Sequence, residues 1–278
     1  MTNPSERHLA WAASIIGADA TVTGVEGMHE GSSPWLCEIR SDGQVIQAVL
    51  RVADWDRIWG PAIVTAAAGL QVAAAHDLPT PRLLGCDRDG TATGSPALLE
   101  TQFAGSNRPP GQDALYSAGA VLAGVHKIRL DETEDLPVRT HHNPYDDSRI
   151  ERRQAALYRR ASSADRAAML DEFCQPDPGA DRRTVQDMWE NAQTSPLLLE
   201  ADARVGRLRP PEGATVFVHA DVWLYNMHWL NDQCLGLIDW KSAGVGHPGV
   251  DIGALRMQAV LAYDASAADP VTAGWEDN

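Results

Sequence analysis

The chain has 278 residues, with 23 Lys and Arg against 38 Asp and Glu, for a net charge of −15. That length can bury a large core in one domain or two lobes. The charge repels nucleic acid and anionic membranes and favours a cationic small molecule as partner, although it serves solubility equally well.

The N-terminal segment has neither the basic start nor the long apolar run of a signal peptide, and no stretch is apolar enough to span a bilayer. Cys37, Cys86, Cys174 and Cys234 are scattered without a CxxC pair and read as buried thiols of a cytoplasmic protein. Pro4 to Ile16 places Leu9, Ala13 and Ile16 on one helical face. Strand-like runs follow at Ala20–Val25, Trp35–Arg40 and Val45–Val52, the last two joined by the turn Ser41-Asp42-Gly43. The Ala-rich run Pro61–Ala75 predicts a helix, which Leu78-Pro79-Thr80-Pro81 ends. Arg82–Cys86 and Pro96–Thr101 predict two more strands around the turn Asp87-Arg88-Asp89-Gly90.

From Gln112 onward the pattern is mainly helical, at Ala114–Ile128, Arg149–Arg160, Ala164–Phe173 and Arg182–Ala192. Asp131–Tyr145 and Cys174–Asp181 are expected as connecting loops. Two short buried strands are predicted near the end, at Val216-Phe217-Val218 and around Leu235, Leu237 and Ile238, with Trp229 to Gln233 as the turn between them. No internal repeat is present. The order predicts an α+β chain in two lobes, an antiparallel-sheet lobe over 1–103 and a mostly helical lobe over 104–278, with the boundary near Phe103 to Gln112.

Val216 to Asp251 carries the chemistry. His219-Ala220-Asp221 is followed by Asn226, and the apolar Leu237-Ile238 ends on Asp239 and Trp240. The first group has the H-x-D-x-x-x-x-N spacing of a kinase catalytic loop. Phosphoryl transfer asks a protein to position the acceptor hydroxyl and to neutralise phosphate charge with Mg²⁺. A carboxylate at Asp221 can take the hydroxyl proton, and Asn226 and Asp239 offer the hard oxygen ligands that Mg²⁺ prefers.

His-x-Asp, Asn-x-x-Trp (Asn226 to Trp229), Ile-Asp-Trp and Gly-x-Pro-x-x-Asp (Gly246 to Asp251) occur in that order. In this the chain resembles the aminoglycoside phosphotransferase family, which is kinase-like and includes macrolide, choline and other small-molecule kinases. The resemblance implies a protein-kinase-like two-lobed fold, ATP or GTP as donor, Mg²⁺ as cofactor and a hydroxylated small molecule, foremost an antibiotic, as acceptor. It assigns Asp221 as the catalytic residue and Asn226 and Asp239 as metal ligands. His219 and Asp251 become structural supports of the catalytic loop, Asp251 also being a plausible helix N-cap.

On the donor side, the resemblance makes Gly31-Ser32-Ser33 the phosphate loop, from which Pro34 removes one donor. Arg51 becomes the strand-borne cation of the phosphates, and Thr101 and Phe103 become the hinge that meets the adenine edge. Related kinases pair that cation with a helix glutamate. Val64 to Ala68 reads VTAAA, so either another acid, such as Asp54 or Asp56, is expected to serve Arg51, or phosphate alone holds it. Trp35 is expected in the core.

On the acceptor side, Trp223 and Tyr225 either line the site or pack. Asp146, Asp147 and Glu151 either bind a cationic substrate or favour a helix N-terminus. His141-His142 reads as exposed loop. Ala267 to Glu276 resembles the segment that precedes the family's last helices.

Two other readings compete. His219, Asp221 and a later histidine such as His247 could form an Fe(II) facial triad, and the missing helix glutamate together with Pro34 would suit a kinase-like nucleotide-binding module without turnover. Neither the acceptor's identity nor the oligomeric state is readable from the sequence.

Overall fold

Alternation of apolar residues builds the first sheet. The computed structural model describes residues 4–29, 32–53, 59–108, 111–139, 154–174, 182–192, 195–205, 207 and 215–278. Helix α1 (Glu6–Ile16) starts on a capping box in which Ser5 accepts from the His8 backbone and the His8 ring accepts from the Ser5 N–H. Strands β1 (Thr21–His29), β2 (Ser32–Ser41) and β3 (Gln44–Val52) follow as an antiparallel meander. The β2–β3 turn is Asp42-Gly43, both left-handed at φ 49° and 74°, as a two-residue hairpin requires.

Helix α2 (Trp59–Ala75) leads to β4 (Leu83–Asp87) and β5 (Ala97–Thr101). β5 pairs with β3 and β4 lies at the edge, giving the order β1-β2-β3-β5-β4. One sheet face buries Trp35, Cys37, Ile39, Ala48, Leu50, Ala97 and Leu99 against Ala12 of α1. Leu98 of the opposite face joins Ile63, Ala66 and Leu70 of α2 in the main core. That second face also carries Arg51 and Glu100, since Val49 pairs with Glu100 and Arg51 with Leu98.

The rest of this unit assembles from distant segments. Helix α3 (Leu115–His126) is buried along its length, and β6 (Val138–Arg139) pairs with a strand from the end of the chain. Met1–Thr140 and Gly213–Asn278 together form one compact unit, and His141–Glu212 forms a second. The second unit holds α4 (helical over 154–160), α5 (Ser163–Cys174), α6 (Arg182–Asn191) and α7 (Pro196–Val205). It has its own core of Ala155, Tyr158, Leu170, Val185 and Trp189, with the Tyr158 and Trp189 rings 5.4 Å apart.

Back in the first unit, β7 (Val216–Val218), β8 (Met227–Leu230), β9 (Gln233–Leu237) and β10 (Gly244–Gly246) precede α8 (Gly249–Ala262) and α9 (Ala268–Glu276). β10 lies between β6 and β7, and β8 and β9 form a hairpin. Helices α3 and α9 meet backbone to backbone. A Cβ at Gly119 would sit 2.1 Å from the Val271 carbonyl oxygen, and one at Gly274 would sit 1.9 Å from that of Tyr116.

Several sequence expectations change. β1 runs on to His29 and β2 begins at Ser32, so Ser32 and Ser33 belong to a strand and not to a free loop. Pro34 sits where the β1–β2 register shifts between Gly27 and His29, an irregularity that tolerates a residue without an N–H. Trp229, Leu230 and Gln233 are strand residues, and Asn231-Asp232 alone, at φ 49° and 58°, makes that turn. The expected loop over Asp131–Tyr145 contains β6. Helix α7 is additional to the helices expected from the sequence, and α9 is itself a packed helix. Among the described residues no helix is long and apolar enough to cross a membrane.

Candidate active site

The loop after β7 is held by side chains that bond its backbone. Asp251, fully buried, accepts the His219 N–H at 2.8 Å, the Ala220 N–H at 2.7 Å and His126 Nε2 at 3.0 Å. Trp275 Nε1 donates to His126 Nδ1 at 2.9 Å, so the His126 hydrogen lies on Nε2 and points at Asp251. This fixes Ala220, which has a left-handed backbone at φ 59°. Such a conformation costs a residue with a Cβ about 1–3 kcal/mol and persists where neighbours over-determine it.

The His219 ring accepts from the Asp221 N–H and donates to the Ile238 carbonyl at 2.8 Å. Gln258 of α8 accepts from Leu224 N–H at 2.8 Å and donates to the Val222 carbonyl at 3.0 Å. Asp251 is thus a brace in the first turn of α8. It is not the N-cap, a position held by Pro248 without a side-chain bond.

With its backbone fixed, Asp221 turns its carboxylate towards Trp223 Nε1 (2.9 Å) and Lys241 Nζ (2.8 Å). Asn226 donates Nδ2 to the Asp221 carbonyl at 2.8 Å, which leaves Oδ1 without a hydrogen bond among the described residues. The Ile238 N–H reaches the Asn226 carbonyl at 2.9 Å, so Asn226 and Asp239 flank the same end of the β8–β9 hairpin.

Asp239 is left-handed at φ 67°. Behind it, Trp240 is buried, stacks on Phe217 at 5.2 Å and donates to Thr80 Oγ1 at 2.7 Å. The Asp239 carboxylate accepts from Arg51 at 3.1 Å and from Lys241 at 2.5 Å.

Arg51 also donates Nε to Glu100 at 2.9 Å. Glu100 is thus the other acid expected to serve Arg51 in place of one on α2; Asp54 and Asp56, the candidates named from the sequence, lie outside the described residues. With a strand acid on the cation, the ground for a module without turnover weakens.

Two cations, Arg51 and Lys241, thus face three carboxylates, and the electrostatics follow. Burial pushes the Glu100 carboxyl up even with Arg51 beside it. Burial would push Asp239 up too, but Arg51 and Lys241 outweigh it and hold this carboxyl below the usual range. Desolvation weakens the proton affinity of Lys241, yet Asp239 and Asp221 more than compensate and keep the ammonium charged.

These oxygens fit Mg²⁺, which commonly takes one or two protein carboxylates and completes its shell with phosphates and water. Asp239 gives a carboxylate and Asn226 an amide oxygen that is free among the described residues. Among the described residues no group of three or more His, Cys, Asp or Glu could hold a metal ion. Both ring nitrogens of His219 are committed to backbone, so the facial-triad reading fails.

The other residues singled out in the sequence are placed as follows. Gly31 is outside the described residues, and Ser32 and Ser33 open β2. Thr101 ends β5, its N–H on the Arg82 carbonyl and its hydroxyl accepting the Arg82 N–H. Phe103 follows, its ring 5.5 Å from His228. Trp35 is buried in the core cluster beneath α1. Trp223, bonded to Asp221, is 43% exposed and Tyr225 is 62% exposed, so neither packs into the core. Asp146, Asp147, Glu151, His141 and His142 all lie outside the described residues.

Glu100, Lys241, Gln258 and His126 escaped the sequence reading. The first two had a signal: a lone acid ending the apolar run Ala97-Leu98-Leu99, and a lysine two residues past Asp239.

Known proteins resemble this chain in sequence profile and in fold. Residues 39–278 match the sequence profile of the phosphotransferase enzyme family. No curated protein sequence matches significantly. Among solved structures, the apoenzyme of macrolide 2′-phosphotransferase from Brachybacterium faecium superposes with a TM-score of 0.58 at 15% identity, covering 97% of this chain and 81% of its own.

The phosphotransferase APH(2″)-IIa, in a ternary complex with streptomycin and ATP, gives 0.56 at 13% identity over 100% of this chain and 86% of its own. An aminoglycoside phosphotransferase from Streptomyces rimosus, in complex with ADP and streptomycin, gives 0.53 at 16% identity over 96% and 91%. At such identities these likenesses show the fold, which is kinase-like and α+β. The profile match spans most of the sequence, and the chain therefore belongs to the phosphotransferase enzyme family, the aminoglycoside phosphotransferase family that its motifs resemble.

Proposed function

We propose that this protein transfers the γ-phosphoryl group of ATP or GTP to a hydroxyl of a small molecule, with an antibiotic as the acceptor. The observation that carries the reading is the meeting of Asp221, Asn226 and Asp239 around one braced loop, with Arg51 fixed beside them.

Asp221 orients the acceptor hydroxyl and takes its proton. Arg51, held by Glu100 and Asp239, offers its outer N–H groups to phosphate oxygens. Asn226 Oδ1 and Asp239 would hold Mg²⁺, which when bound offsets charge on the phosphates. In this reading residues 1–103 form the nucleotide lobe, with Gly31, Ser32 and Ser33 at the phosphates and the backbone of Thr101 and Phe103 at the base. Residues 104–278 supply the acceptor side, with Trp223 bonded to Asp221, with Tyr225 in the same loop, and with Asp146 and Glu151 as anions for a cationic substrate.

Streptomycin, ATP and ADP in the neighbours' complexes support a nucleotide donor and an antibiotic acceptor. The net charge of −15 suits a cationic acceptor. The four free cysteines suit a reducing cytoplasm.

A nucleotide-consumption screen with Mg²⁺ against hydroxylated antibiotics tests the reading, with ATP and GTP run in parallel. Acceptor-dependent consumption that disappears in Asp221→Asn supports it. Nucleotide binding without turnover on a broad panel would replace it with the binding-module reading.

A further inference from the structure

One ammonium closes the centre of the site. Lys241 Nζ donates to Oδ2 of Asp221 at 2.8 Å and to Oδ2 of Asp239 at 2.5 Å. It stands in the short turn Trp240–Ser242, which begins on the left-handed Asp239 and is pinned from behind by Trp240 on Phe217 and Thr80. Its side chain is 31% exposed, so a held backbone delivers a lysine that still reaches solvent.

Both oxygens of Asp239 are occupied, Oδ1 by Arg51 and Oδ2 by Lys241. A divalent cation reaching this carboxylate meets both positive charges at close range, and binds tightly only where one of them moves away. Arg51 is tied down on its far side by Glu100, in a buried pair. Lys241 has a second carboxylate, Asp221, on which it can remain after letting go of Asp239. Lys241 is therefore the cation free to move. The phosphates of an incoming nucleotide would offer it new anionic oxygens, keeping every charge paired during the exchange.

We infer that Lys241 is a resident counter-ion that holds Asp221 and Asp239 together in the nucleotide-free protein and must release Asp239 before a divalent cation binds there, so that metal enters with the nucleotide and not ahead of it. This rests on the proposed role of Asp239 as a metal ligand. It makes Lys241 a positioning residue and sets the order in which the site fills.

Mn²⁺ binding to the nucleotide-free, full-length protein, read by electron paramagnetic resonance and calorimetry, tests the inference without any turnover. Lys241→Met is expected to bind Mn²⁺ at least tenfold more tightly than the wild type, and Lys241→Gln should behave in the same direction if the methionine variant does not fold. Lys241→Arg, which restores the charge, should return the affinity to the wild-type level. Asp239→Asn should abolish the gain in the methionine background.

Neutral variants that fold and bind Mn²⁺ no more tightly than the wild type overturn the inference, even where binding depends on Asp239. If Asp239→Asn leaves Mn²⁺ binding unchanged in every background, with and without nucleotide, the metal assignment itself falls and the inference falls with it.

Discussion

Arg51 Nε bonds Glu100 Oε1 at 2.9 Å, diagonally across neighbouring strands. Val49 is the direct partner of Glu100, and Arg51 lies two residues further along the same face, a distance that a long side chain spans. Glu100 is 3% exposed, so its charge depends on this cation. Removing it by Glu100→Ala should cost about 3 kcal/mol, the low end for breaking a buried pair, because Arg51 keeps Asp239. Urea denaturation reads the loss directly. An unchanged midpoint would mean that Asp239 alone holds Arg51, while nucleotide affinity should fall together with stability.

Asp221→Asn keeps the shape and most hydrogen bonding of the side chain but cannot accept a proton. Turnover should fall by roughly 10²–10⁴-fold with little change in nucleotide affinity. Stopped-assay kinetics and nucleotide titration separate the two effects. A large loss of nucleotide binding would assign Asp221 to the donor side.

Asp251→Asn should loosen the catalytic loop from below. One oxygen becomes an NH₂ group facing a donor N–H, and a buried unmade hydrogen bond costs roughly 1–3 kcal/mol. The melting temperature and kcat should drop together, since the left-handed Ala220 loses a brace. A variant with lowered stability and wild-type kcat would show that the loop holds its shape without Asp251.

Gly119→Ala should destabilise by roughly 1–3 kcal/mol, because its Cβ would meet the Val271 carbonyl and force α3 from α9. Gly253→Ala is the internal control. It lies exposed in α8 with nothing within 4 Å of the added methyl, and helix propensity should give a gain of about 0.5–1 kcal/mol. Equal effects from the two substitutions would contradict the close approach of α3 and α9.

Burial pushes the Cys37 and Cys86 thiols up to about 11 and that of Cys234 up to about 12. An unfolded cysteine titrates near ~8.5. The raised values mean that these three lag the unfolded chain and remain thiols through pH 9. Iodoacetamide labelling at that pH, mapped by mass spectrometry, should be slow at all three and become fast in urea. Rapid native labelling at Cys234 would mean that the β9 strand opens readily.

The sequence alone determined the parts of this protein whose causes are local. Asp42-Gly43 can turn only one way, apolar alternation sets which face of β2 and β3 is buried, and the spacing from His219 to Asp239 puts Asp221, Asn226 and Asp239 on neighbouring segments. Local pattern misled where strand pairing extended an element. Ser32 and Ser33 look like loop residues until β1 is there to pair with them, and Trp229 joins β8 only because it lies opposite Cys234 of β9 and Ser106 takes both of its backbone groups.

The tertiary structure decided which charges meet. Arg51 finds Glu100 across 49 residues and Asp239 across 188, and Asp251 reaches His126 across 125. No periodicity in a chain encodes such pairings, because they depend on which sheet face and which helix end the whole fold brings together. The partner of Arg51 could therefore not be read from α2, where a helix acid was sought. Lys241 shows the same limit at short range. It stands two residues from Asp239, but whether it points at solvent or joins two carboxylates was settled by a left-handed backbone and a buried tryptophan.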